Sequence, residues 1–156
     1  MSENHFSILK AEIEKDLIDL DVIINEWNDF NAEINERGQK KTDLRVAGSI
    51  LHDFYTCIER IFSKIANSID GELPTGGSWH SDLLDRMAIA IPNIRDRVID
   101  DSVKQELYEY LRFRHLFRNV YGANLKWAKI ENLVNDLDSV RNHVKEQITQ
   151  FLDSLI

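Results

Sequence analysis

Hydrophobic residues recur along the N-terminal part of the chain at steps of three and four: Phe6, Leu9, Ile13, Leu17, Leu20, Ile24, Trp27, Phe30 and Ile34. That spacing puts them on one stripe and predicts a helix of about nine turns. The polar stretch NERGQKK over residues 35–41, with Gly38 inside it, predicts a turn. A second stripe follows through Leu44, Ala47, Leu51, Phe54, Ile58, Ile61, Ile65 and Ile69. Two long amphipathic helices joined by a short turn pack antiparallel. The segment DGELPTGG, residues 70–77, holds three of the six glycines and one of the two prolines, and it breaks the chain.

A shorter helix is expected over Trp79–Ala90, capped by Ser78 or Ser81 and stopped ahead of Pro92. Residues 91–101 offer one loose turn. Ser102-Val-Lys-Gln105 has the form of a capping box, in which both side chains satisfy exposed backbone N–H groups. It opens a fourth helix through Val103, Leu107, Tyr110, Phe117 and Val120, with Gly122 as its stop. Asn124 then suits the N-cap of a last helix that buries Trp127, Ile130, Leu133 or Val134, Leu137, Val140, Val144, Ile148 and Leu152. No strand pattern competes. The expectation is a single all-α domain over residues 1–156, an up-and-down bundle of four to five helices.

Composition narrows the class. At 156 residues the chain can bury a core without metal or disulfide support. The single cysteine, Cys57, has no internal partner, which fits a reducing compartment, and its neighbours Phe54, Ile58 and Ile61 suggest a buried thiol. No apolar run reaches membrane length and the N-terminus lacks a signal-peptide stretch, so the expected location is cytoplasmic with no membrane association. There is no HExxH or CxxC, so no metal site and no cofactor are expected.

Charge changes the picture more. The whole chain carries a formal net charge of −8, yet LRFRHLFRNVYGANLKWAK, residues 111–129, holds five basic residues and no acidic one. Solubility is already supplied by the acidic remainder, so a basic island asks for another reason. On a helix, Arg114, Arg118 and Tyr121 share one face, and His115 and Asn119 share the adjoining one, with Arg112 three residues before His115. Guanidinium forks suit phosphate oxygens, and an imidazole beside them can move a proton near neutral pH. With no Asp or Glu in the segment to hold a divalent ion, the simplest phosphodiester chemistry uses the RNA 2′-hydroxyl as internal nucleophile. His115 would be base or acid, Arg114 and Arg118 would hold the phosphate, and Asn119 would orient one of them. The bland alternative is a solvated helix face paired with acids of the first helix.

The phrases FRHLFRNVYG and WHSDLLDRMA, and Arg118-Asn119-x-Tyr121 at the end of the fourth helix, resemble the HEPN superfamily, nearest the HepT-like ribonuclease toxins paired with minimal nucleotidyltransferase antitoxins. The resemblance implies a homodimer with a composite cleft and a metal-independent ribonuclease acting on tRNA or another RNA. It further implies neutralisation by an antitoxin that attaches AMP to a tyrosine, for which Tyr121 is the candidate. The common motif of that superfamily is an arginine followed after four to six residues by histidine. Counted from Arg118, those positions are Ala123, Asn124 and Leu125, and the histidine stands one turn earlier, at His115. Arg45 and His52 match the spacing in the wrong place, by chance.

Arg112, Lys126 and His80 complete the expected RNA contacts. His80 follows the Gly-rich TGGS, which is not a P-loop, and can line the same cleft; read from the residues alone, Trp79 packs and His80 is a polar first-turn residue. The fourth helix also carries Tyr108, Tyr110, Phe113 and Phe117, more apolar surface than one stripe needs, which suggests two copies meeting along it. The alternative function is a non-catalytic HEPN-type bundle that binds a nucleotide or a nucleotidyltransferase partner.

Overall fold

The computed structural model describes residues 3–119 and 125–155. Six α-helices stand among them: α1 (Glu3–Arg37), α2 (Asp43–Ile65), α3 (Trp79–Met87), α4 (Asp101–Asn119), α5 (Trp127–Asn135) and α6 (Leu137–Ser154). The fold is an all-α bundle. Helix α2 is its centre, packing against α1, α3, α4 and α5, while α6 closes on α1 and α4.

Both long stripes become core. Leu9, Ile13, Leu17, Leu20, Ile24, Trp27 and Ile34 of α1 are buried, as are Ala47, Leu51, Phe54, Ile58, Ile61 and Ile65 of α2. Each such Leu or Ile, removed from water, contributes about 1.5–3 kcal/mol, so the α1–α2 pair alone outweighs any single polar contact. Ionic contacts set its register. Asp16, buried on α1, takes Arg60 Nε at 3.1 Å and Lys64 Nζ at 2.6 Å from α2. At the turn, Arg37 forks onto Asp43 through bonds of 3.0 and 2.8 Å, and Gly38 adopts φ +88°, which permits the reversal there. Cys57 is buried and its thiol donates to Asp16 O, 3.3 Å away; burial pushes its pKa up to about 11, so it is an inert core group.

Several boundaries differ from the sequence expectation. Helix α2 does reach the expected Ile69, past Ile65 through a π-helical turn, Ala66–Asp70, closed by Gly71 at φ +95°. Helix α3 ends at Met87 rather than Ala90, because residues 88–100 are drawn into an irregular segment. Its anchor is Arg95, which forks onto Asp70 at 2.6 and 3.0 Å and also donates to the carbonyl oxygens of Ile89 and Arg86. Ser78 stands at the α3 cap position, yet its hydroxyl donates to Asp82 instead of capping, and Ser81 donates to Ser78 O.

The expected capping box is out of register. The cap of α4 is Asp100, whose carboxylate accepts the Val103 N–H at 2.8 Å and whose own N–H is taken by Gln147 of α6. The last helix is two: α5 and α6 meet at Asp136, φ −91° and ψ −3°, with backbone bonds from Asp136 N to Asn132 O and from Val140 N to Asp136 O spanning the break. Asn124, the expected cap of that helix, lies outside the described residues, as do Val120, Tyr121 and Gly122. Gly48 explains the close approach of α2 and α4, since a Cβ there would meet the Phe117 ring at 2.7 Å.

Candidate active site

Helices α2, α3 and α4 meet around one buried ion pair. On α2, Tyr55 and Glu59 lie four residues apart and so share a face, the one turned to α3 and α4. Arg114 of α4 reaches Glu59 with both terminal nitrogens, Nη1 to Oε1 at 2.9 Å and Nη2 to Oε2 at 3.0 Å. Its guanidinium lies over the Tyr55 ring, 5.1 Å from the centroid. With side-chain exposures of 5% for Arg114 and 10% for Glu59, this is a buried pair of the planar, bidentate kind. Tyr55 is itself fully buried, and that burial drives its phenol far above the ordinary range.

His80 joins the pair from the first turn of α3. Its Nδ1 is 2.9 Å from Glu59 Oε2 and 2.8 Å from Arg114 Nη2. An ionised carboxylate only accepts and a guanidinium only donates. Nδ1 therefore has one role or the other by tautomer: as N–H it donates to Glu59 Oε2, and as a lone pair it accepts from Arg114 Nη2. The Trp79 ring lies against the imidazole, centroids 3.7 Å apart and planes at 32°. Trp79 packs on the core as the sequence suggested, but His80 is more than a polar first-turn residue.

Over this pair opens a cleft of about 600 Å³, lined by His80, Arg114, His115, Arg118, Leu111 and Tyr108 among others. His115 and Arg118 are exposed on α4. The cleft thus gathers five of the sequence candidates, His80, Arg112, Arg114, His115 and Arg118. Two arginines are less available to a ligand than their count suggests. Arg114 is committed to Glu59, and Arg112, 70% exposed, is paired with Glu109 at 2.7 Å over the Tyr108 ring. Lys126 is exposed at the start of α5, outside the residues that line the cleft. Asn119 ends α4, and Tyr121 lies outside the described residues.

The Tyr108 hydroxyl donates to Asp85 at 2.6 Å; burial, then that bond, raise its pKa to about 12. Tyr110 is buried with its hydroxyl on Leu133 O, and Phe113 is buried too, so most of the aromatic surface of α4 is used inside one chain. Leu116 remains, 36% exposed, on a ridge between this cleft and a groove of about 620 Å³ on the other side of α4.

The other histidines lie elsewhere. His5 is half-buried with Nε2 3.1 Å from Ser68 O; His143 is exposed beside Glu106. Among the described residues no group of three or more His, Cys, Asp or Glu is placed to hold a metal ion, and no helix is long and apolar enough to cross a membrane.

The family described as HepT-like protein matches residues 46–155, which is α2 to α6 and includes every side chain of the cleft. The chain belongs to the HepT-like family of the HEPN superfamily. No curated protein and no solved structure matches it. Within the HepT-like frame the residue that sequence reasoning missed is Glu59. Its signal was present: an acid one turn after Tyr55, between Ile58 and Ile61 on an otherwise apolar stripe.

Proposed function

We propose that this HepT-like protein is a metal-independent RNA endonuclease of the toxin kind, acting on tRNA or another RNA at the α3–α4 cleft. The observation that carries the reading is the convergence of His80, His115, Arg114 and Arg118 on one opening of about 600 Å³. Arg118, exposed, grips the scissile phosphate and stabilises charge as the phosphorane forms. His115 transfers a proton between the cleft and the reacting oxygens. Arg114, locked on Glu59, supplies a rigid wall rather than a mobile grip. Asn119 orients one of the two arginines, and Lys126 and Arg112 contact the RNA.

The active form is a homodimer with the two α4 helices near the twofold axis. Helix α4 carries Glu106 and Glu109 in its first half and Arg112 and Arg118 in its second. Antiparallel packing across a twofold sets acids against bases. Control comes from a nucleotidyltransferase antitoxin that adds AMP to Tyr121, placing a phosphate beside Arg118. Burial of Tyr55 and Tyr110 supports this choice, since neither hydroxyl can reach a second protein.

A second reading, a non-catalytic bundle that binds a nucleotide or a nucleotidyltransferase, is favoured by one observation. Counted from the buried Arg114, the superfamily interval of four residues ends on Asn119, an amide where the motif has imidazole. Purified full-length chain, incubated with tRNA and with a mixed-sequence RNA in EDTA, separates the two. Cleavage that His115→Ala and Arg118→Ala both abolish supports the enzyme; wild-type protein that cuts no RNA leaves the binding module, and cleavage only with added Mg²⁺ refutes the metal-independent mechanism. Sedimentation of a monomer at tens of micromolar would refute the dimer. Co-expression with the nucleotidyltransferase followed by mass spectrometry tests Tyr121, and AMP found on Tyr108 instead would show the wrong acceptor.

A further inference from the structure

We propose that His80 is a second proton-transfer group of this site and that Glu59 is its positioning residue; the inference rests on the endonuclease reading. His80 reaches the cleft from α3, whereas His115 and Arg118 reach it from α4. A phosphodiester lying between them meets an imidazole on each side.

The orientation of His80 is built. Nδ1 is held by Glu59 Oε2 at 2.9 Å, and Glu59 is held in turn by both terminal nitrogens of Arg114. The Trp79 ring covers one face of the imidazole. In the tautomer proposed for the resting site, Nδ1–H donates to Glu59 rather than accepting from Arg114, and Nε2 presents a lone pair, the form a general base requires. A carboxylate on the far nitrogen favours that tautomer and fixes the ring orientation, as in other acid–base sites built on a His–carboxylate couple.

The step balances without a further reactant. His80 Nε2 takes the proton of the RNA 2′-hydroxyl, the O2′–P bond forms, and the P–O5′ bond breaks. His115 returns a proton to O5′, leaving a 2′,3′-cyclic phosphate and a 5′-hydroxyl. His80 then gives its proton to solvent and His115 regains one.

The test uses the full-length chain and a fluorophore-quencher oligoribonucleotide containing a site that the wild-type protein cuts. His80→Ala keeps the Glu59–Arg114 pair, so it should fold with wild-type thermal stability. It should bind the RNA within about threefold of wild type and cleave about 10²–10⁴-fold more slowly. Free imidazole in the buffer should restore part of the His80→Ala rate, and none of the Arg118→Ala rate. Glu59→Gln, if it folds, should lose rate with RNA affinity retained, and Glu59→Asp should recover part of it. His80→Ala that cuts as fast as wild type overturns this inference while leaving the endonuclease standing. Loss of RNA affinity in proportion to rate, with no rescue by imidazole, assigns His80 to binding and overturns it as well. A wild-type chain that cleaves no RNA overturns both readings.

Discussion

Replacing Glu59 by alanine would leave the Arg114 guanidinium with no carboxylate in a pocket where only 5% of its side chain meets solvent. Two charge-assisted bonds, 2.9 and 3.0 Å, would be lost from one residue. Stranding one member of a buried pair costs about 3–5 kcal/mol. Two features place this site at the lower end. The Tyr55 ring still faces the cation, and Arg114 lines an open cleft from which water can enter the vacated space. The expected loss is therefore about 3 kcal/mol, which for a domain of this size lowers Tm by about 6–12 °C. Urea unfolding followed by circular dichroism at 222 nm measures it. The cycle is completed by Arg114→Met and by the double variant Glu59→Leu with Arg114→Met. Because that pair of apolar side chains leaves no buried charge, the double variant should be more stable than Glu59→Ala alone. A loss under about 1 kcal/mol for Glu59→Ala, or a double variant whose cost equals the sum of the singles, would refute a buried, coupled pair.

Three further outcomes follow from particular contacts. Asp100→Ala should cost about 1 kcal/mol by removing the α4 cap, while Ser102→Ala, which the sequence pattern would have chosen, should cost almost nothing; chemical denaturation of both decides between the two registers. The Arg37 fork, opposed by burial and helped by the Lys40 N–H, holds the Asp43 carboxyl at about 2, below its ordinary value of 3.8. A folded-state pKa below the unfolded one gives stability that is present above about pH 4 and lost as pH falls towards 2, so Asp43→Asn should flatten the acid limb of a stability–pH curve, and an unchanged limb would exclude the fork as its source. Gly48→Ala should destabilise by about 1 kcal/mol, because contact with the Phe117 ring outweighs the gain in helix propensity; a stabilised variant would mean that the ring turns aside freely.

The helices were legible because burial on this chain is periodic. Leu9 to Ile34 and Ala47 to Ile65 carry a signal that repeats over many turns, and any error at one position is outvoted by the rest. Ends lack that redundancy. Ser102-x-x-Gln105 satisfied a local rule, but Asp100 satisfies it with help from Gln147, which stands 47 residues away. The split at Asp136 interrupts the helical assignment without disturbing the spacing of Leu133, Val134, Leu137 and Val140, so an apolar pattern cannot see it. The end of α3 was likewise decided from outside, by Arg95 drawing residues 88–100 back onto Asp70.

The site divides along the same line. Arg114, His115 and Arg118 were visible because one helix carries them within a single turn and a half, where sequence spacing is spatial spacing. What the spacing hid is that neighbours on a helix can do opposite work. Arg114 points inward to a carboxylate on α2, and His115, one residue on, is exposed at the cleft. The basic island is therefore less basic than its composition: Glu59, 55 residues upstream, neutralises one arginine from beneath, and Glu109 meets another at the surface. On the endonuclease reading proposed above, that subtraction moves the weight of phosphate recognition from three guanidiniums towards Arg118. It also frees a different resource, because the carboxylate that removes Arg114 from the ligand's reach is the one that fixes His80. A site poorer in cations and richer in oriented imidazole suits proton transfer better than tight, undirected binding of RNA.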